Sequence, residues 1–146
     1  MSVLAHEQIM AMIPHAGAMC LLDEVLEWDT STLHGLSHRF CNADNPMRRP
    51  NGVLGMACAV ELAAQAMAVH AGLVAGPDHP PTPGYLLALR EVRLARATLD
   101  ATLAPLGVIA TRQMASGQGA SYSFVVSSHG AEIVTGRATV LFGVAP

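Results

Sequence analysis

Charge is what this sequence has least of. Only 13% of its 146 residues are charged, against 51% hydrophobic, about half the usual charged share. With so few charges a monomer leaves apolar surface uncovered, so burial against a second copy is expected. Cationic side chains are scarcest: eight Lys and Arg stand against eleven Asp and Glu, for a formal net charge of −3. They form no basic stripe, which removes the electrostatic support for nucleic-acid binding. Cysteine is also rare. Cys20, Cys41 and Cys58 are odd in number and lack CxxC spacing, which argues against a disulfide framework or zinc ribbon and fits a reducing cytosol. The opening MSVLAHEQIM lacks a basic segment followed by an apolar one, so no signal peptide is expected. There is no internal repeat and no low-complexity linker. One domain over 1–146 is expected, large enough to bury a core without disulfides or metals.

What the chain does have is one long apolar run, LGMACAVELAAQAMAVHAGL at 54–73. The stretch 53–76 that contains it has the length of a membrane span. Yet alanine dominates it, and it carries Glu61, Gln65 and His70. A carboxylate at a bilayer centre costs roughly 3 kcal/mol on insertion scales, and alanine offers little to offset that. A helix buried in a soluble fold, with no membrane partner, is the expectation.

Around that helix the pattern is mostly β. Residues 3–12 have helical spacing, with Leu4, Ile9, Met10 and Ile13 on one face, and Pro14 stops them. MCLLDEVLEWD (19–29) and STLHGLSHRF (31–40) read as two strands joined by a turn at Asp29–Ser31. Residues 41–52, CNADNPMRRPNG, form a loop. After the helix, which ends near Gly72–Gly76, PDHPPTPG (77–84) excludes helix and central strand. The segments 85–95, 108–115, 121–129 and 132–143 read as further strands. His129–Gly130 is a hairpin turn, and Gly136 marks a bend or bulge. The fold class is α+β: one long helix and about six antiparallel strands.

Several motifs then occur in a telling order. IPHAGAMCLLDEV (13–25), NPM (45–47), GV (52–53), VELAAQAMA (60–68) and GYLLALREVRL (84–94) together resemble the 3-hydroxyacyl-acyl-carrier-protein dehydratases of the hot-dog fold. The resemblance implies a curved antiparallel sheet wrapped around the helix, paired with active sites at the subunit interface. It further implies a substrate carried as an acyl thioester on acyl carrier protein or coenzyme A, in fatty-acid or polyene-type biosynthesis. No cofactor or metal is implied.

Dehydrating a 3-hydroxyacyl thioester needs a base for the C2 proton, an acid for the departing hydroxyl, and donors for the thioester carbonyl. By resemblance, Glu61 is the acid. A carboxyl group held away from water keeps its proton more readily. Gln65, one turn on, is placed to fix it. Gly52 and Val53 are expected at the helix start, near the carbonyl. The bland alternative for Glu61 is an ion pair with Arg48, Arg49 or Arg90.

The base is missing. The family loop Gly-His-Phe-Pro-Gly corresponds here to PMRRPNGVL (46–54), and no histidine lies between His38 and His70. His15 in the Pro-His motif is a candidate supporting residue, although the resemblance implies a structural, turn-closing role for it. His38, at a strand end just before the loop, is a candidate to reach the site as a supporting residue; His34 and His38, four apart, are expected on one strand face, too few for a metal site. Asp44 and Asn45 are candidate polar lining. Arg48 and Arg49 are candidates for the phosphopantetheine phosphate, or an ordinary solvated pair. Met47, Met56 and Met67 suit an acyl channel or a core equally. Two alternatives to an autonomous dehydratase follow: an acyl thioesterase, or a non-catalytic acyl-binding subunit of a heterodimer. A homodimer or larger even assembly in the cytoplasm is the accompanying expectation.

Overall fold

Alanine, the strongest helix former, fills the apolar run, and it forms one helix, α2 (Ala57–Ala75). The computed structural model describes residues 2–13, 17–78, 84–117 and 119–142. Helix α2 stops at Gly76, whose φ of 96° only glycine adopts readily and whose N–H bonds to Gly72 O at 3.2 Å. It is long and apolar enough to cross a membrane, but half of it is buried within the fold.

The other elements are β1 (Leu4–Ala5), α1 (His6–Met12), β2 (Glu24–Trp28), β3 (Thr32–Ser37), β4 (Leu54–Gly55), β5 (Gly84–Leu94), β6 (Thr98–Leu99), β7 (Leu106–Ser116), β8 (Gly119–Ser128) and β9 (Ala131–Phe142). Seven of them form one antiparallel sheet in the order β1-β2-β3-β7-β8-β9-β5. The seventh strand beyond the expected six is the two-residue β1 at the edge. A separate short pair joins β4 to β6.

Strict alternation drives the sheet's inner face. In β8, Ala120, Tyr122, Phe124, Val126 and Ser128 point inward and their neighbours outward. In β3, Leu33, Gly35 and Ser37 do the same. These side chains close over Ala59, Leu62, Ala63, Ala66 and Met67 of α2, all at most 1% exposed. Small side chains on the helix let it lie close to the sheet. Met56 and Met67 belong to this core, and Met47 packs against it.

Several local expectations hold. The β8–β9 turn has positive φ at both His129 (50°) and Gly130 (81°), the geometry a two-residue hairpin favours. At the β2–β3 turn, Asp29 Oδ1 accepts from Ser31 N and Thr32 N, each at 2.8 Å. Others are corrected. The segment 19–29 is a strand only from Glu24, because the N–H groups of Leu21 and Leu22 go to a side chain of α2 instead of a neighbouring strand. Strand β3 ends at Ser37, so His38 lies beyond it and shares no strand face with His34. Gly136 pairs regularly with Phe124. The bulge is on the facing strand, between Arg90 and Arg93 of β5. A Cβ at Gly136 would lie 2.8 Å from Phe124 Cζ and 3.1 Å from Val92 Cγ2, so glycine makes room for both. Of the proline-rich connection, residues 79–83 lie outside the described residues.

Candidate active site

Glu61 is half-buried on α2, and Gln65, four residues on, donates from Nε2 to its Oε1 at 3.2 Å. Gln65 is fully buried. Its Oε1 accepts from Leu21 N at 2.8 Å and Leu22 N at 3.3 Å, while Nε2 also donates to Met19 O at 2.7 Å. Two N–H groups on one side and a carbonyl and a carboxylate on the other allow only one orientation of the amide. The side chain therefore docks the segment 19–22 on the helix and fixes the Glu61 rotamer at the same time.

Asp23 extends that docking. Its carboxylate accepts from His38 N at 2.6 Å, Arg39 N at 3.0 Å and Arg39 Nε. Burial alone would raise its pKa, but the N–H groups of Arg39 and His38 and the Arg39 guanidinium outweigh it and hold the carboxyl below its ordinary value. Ser37 Oγ adds a bond to Leu21 O at 2.7 Å. Burial dominates at the neighbouring thiol: Cys20 is pushed up to about 11, with Arg39 only partly opposing.

The loop before α2 is closed by Arg48. It directs Nε to Asn42 O (3.0 Å), Nη1 to Gly52 O (2.8 Å) and Nη2 to Cys41 O (2.5 Å). Asn45 is buried and structural in its contacts: Nδ2 donates to Phe40 O at 2.7 Å and to Cys58 Sγ at 3.4 Å, and Oδ1 accepts from Met47 N at 2.9 Å. Burial raises Cys58, and the Asn45 bond opposes this in part. Arg49 is exposed against Gly55, where a Cβ would lie 2.8 Å from its Nη2. Asp44 is exposed.

Gly52 and Val53 do not form the helix start. The helix begins at Ala57, beyond β4. Gly52, at φ 84°, turns the chain, and Arg49 N bonds to Val53 O at 2.9 Å. The turn and the β4–β6 pairing hold both residues upstream of the first helical turn. His15 lies outside the described residues, and His38 is exposed in the turn after β3.

Sequence reasoning missed a second buried polar group. His70 is fully buried; its Nε2 lies 2.9 Å from Asp29 O and its Nδ1 2.8 Å from Tyr122 Oη. A carbonyl only accepts, so Nε2 carries the hydrogen and Nδ1 accepts from the tyrosine. Burial lowers the His70 pKa, with Arg112 assisting, and pushes Tyr122 up to about 12. A histidine inside an alanine helix was the available signal. Nine residues are two and a half turns, so His70 faces away from Glu61.

No cluster of three or more metal-ligating side chains occurs among the described residues. The arrangement is thus a glutamate side chain held by a buried amide, beside a loop without a histidine, in a sheet-wrapped helix. That is the hot-dog fold, the architecture of acyl-thioester dehydratases and thioesterases alike. A protein-family profile described as ApeP-like, ApeP dehydratase, matches residues 7–143, and the chain belongs to that family. It is similar to the dehydratase heterocomplex ApeI:P from Xenorhabdus doucetiae, at 23% identity over 92% of this chain and 90% of that one, with a TM-score of 0.78. It is also similar to a mutant of the thioesterase PA1618 from Pseudomonas aeruginosa, at 16% identity over 97% and 95%, TM-score 0.66. A hypothetical thioesterase with coenzyme A from Streptococcus pneumoniae follows at 12% identity over 82% and 84%, TM-score 0.57. None of the curated proteins matches in sequence.

Proposed function

We propose that this chain takes part in dehydrating 3-hydroxyacyl thioesters as one subunit of a two-chain assembly, with Glu61 as the acid. A base removes the C2 proton, the C2–C3 double bond forms, and the C3–O bond breaks. The hydroxyl then leaves as water with the proton of Glu61. The observation that carries this reading is the bond from Gln65 to Glu61, made by an amide that the segment 19–22 holds in one orientation. Such a rotamer is preorganised for proton transfer.

The base belongs to the second chain. The loop 41–52 offers no histidine, and among the described residues His70 is engaged on the opposite helix face and His38 is exposed in the turn after β3. Strand β5 supports an association: it is the last strand of the sheet, and its outer edge is unpaired among the described residues. Leu86, Leu89 and Leu94 pair with Val140, Ala138 and Val134 and so share the concave face, yet they are 43%, 42% and 53% exposed. A long apolar edge calls for a partner strand. The dehydratase heterocomplex among the similar structures favours an unlike partner over a second copy. Arg48 is occupied by loop carbonyls, which leaves Arg49 as the candidate for a phosphopantetheine phosphate of acyl carrier protein or coenzyme A. Three free cysteines suit a reducing cytoplasm.

The histidine-free loop also favours a second reading, in which the chain is the non-catalytic, acyl-binding half. One assay decides. The purified protein, alone and with a hot-dog dehydratase chain from the same source, is incubated with 3-hydroxyacyl and enoyl thioesters while conjugated product and free thiol are followed. Interconversion that needs Glu61 supports the proposal. Interconversion indifferent to Glu61→Gln assigns the non-catalytic role, and thiol release makes the protein a thioesterase.

A further inference from the structure

A cavity of about 1020 Å³ opens at the far end of α2, and Glu61 does not line it. Gly72, on its helix wall, is eleven residues from Glu61, about 16 Å down the helix on nearly the same face. Between them Gln65 is fully buried under the segment 19–22, while Ala64 and Ala68 on the same face are half-buried. The volume comes from small residues on both walls. Ala68, Ala71, Gly72 and Ala75 form the helix side, and Gly119 and Ala120 face them from β8.

The lining is apolar with one charge. Arg112 is its only ionic side chain, and no carboxylate lines it among the described residues. Arg112 is half-buried and makes no side-chain hydrogen bond or ion pair among the described residues. Two other polar lining groups are engaged: the Tyr122 hydroxyl with His70 and the Gln8 side-chain carbonyl with Ala5 N. A half-buried cation that lines an apolar chamber and has no counter-ion among the described residues calls for an anion, and the chamber is of the size that takes small ligands.

We propose that this cavity binds a long-chain carboxylic acid, with the carboxylate on Arg112 and the chain along the small-residue wall of α2. The site is separate from Glu61 and stands whether or not the proposed function does.

The test uses a fluorescent long-chain fatty acid, cis-parinaric acid, and its methyl ester, titrated into the full-length protein. The acid binds saturably and about tenfold or more tighter than the ester, as a charge-assisted pair requires. Arg112→Gln removes that preference and leaves ester binding in place. Ala71→Phe fills the chamber and abolishes both, with circular dichroism and melting unchanged. Glu61→Gln alters neither. Absence of saturable binding overturns the proposal, as does an acid preference that survives Arg112→Gln. A folded Ala71→Phe protein that binds as before, or a loss on Glu61→Gln, overturns it too. Should Ala71→Phe fail to fold, the Arg112→Gln comparison decides alone.

Discussion

Replacing Gln65 by leucine removes every bond of the amide while keeping its approximate shape. Leu21 N and Met19 O, at 2.8 and 2.7 Å, lose their partner, and Leu22 N loses a longer one at 3.3 Å. A buried donor or acceptor left unsatisfied costs about 1–3 kcal/mol. With the two short bonds dominant, the loss is about 3–5 kcal/mol, a large part of the roughly 5–15 kcal/mol that holds a domain together. At this chain length the melting temperature falls by roughly 6–20 °C. Gln65→Glu gives the sharper signature. A carboxylate still accepts from Leu21 and Leu22, but it meets Met19 O and Glu61 with lone pairs where the amide had hydrogens. Burial and those two oxygens raise the new carboxyl in the folded state. Its deficit is therefore smallest below the ordinary glutamate value near 4.3 and grows as pH rises through it. Urea unfolding of the three proteins at pH 4, 5.5 and 7 reads both effects. A Gln65→Leu loss below about 1 kcal/mol, or a Gln65→Glu deficit independent of pH, refutes the docking role.

Other outcomes follow from the same geometry. The folded Asp23 carboxyl lies below its ordinary value, so its contribution is present above about pH 3.9 and lost as pH falls through the folded value. Asp23→Asn costs about 2 kcal/mol at neutral pH and flattens the acid end of the stability–pH curve. His70 is the opposite kind of group, kept neutral by burial: stability is full above its ordinary value near 6.5 and declines as pH falls below it. His70→Phe abolishes that decline, as unfolding at pH 7.5 and 5.5 shows, while stranding the Tyr122 hydroxyl at a cost of about 1–3 kcal/mol. Alkylation followed by mass spectrometry labels Cys41 first. Cys20, buried and pushed up to about 11, reacts only on unfolding.

Much of the fold was legible because its physics is local. Period-two alternation marks β8, positive-φ chemistry marks the His129–Gly130 turn, and alanine density marks α2. The breaks were less legible because distant partners make them. Nothing near Leu21 and Leu22 says that their N–H groups go to a glutamine 44 and 43 residues away. Nothing near Gly136 says that the bulge it accommodates is on another strand. The candidate site divides in the same way. Glu61 and Gln65 were visible as polar residues in an apolar run, at a spacing that places them on one face. Arg48 reads as a phosphate ligand in sequence, yet three carbonyls of its own loop surround it. Gly52 and Val53 were displaced from the helix start by a two-residue strand whose partner lies at Thr98–Leu99.

The most direct measurement is turnover of a 3-hydroxyacyl thioester by the protein in its two-chain assembly, comparing the natural chain with Glu61→Gln. An acid that protonates the leaving hydroxyl contributes about 100-fold or more. The account predicts a loss of that size with assembly and melting temperature unchanged; a substituted assembly turning over within a few-fold of the original contradicts it.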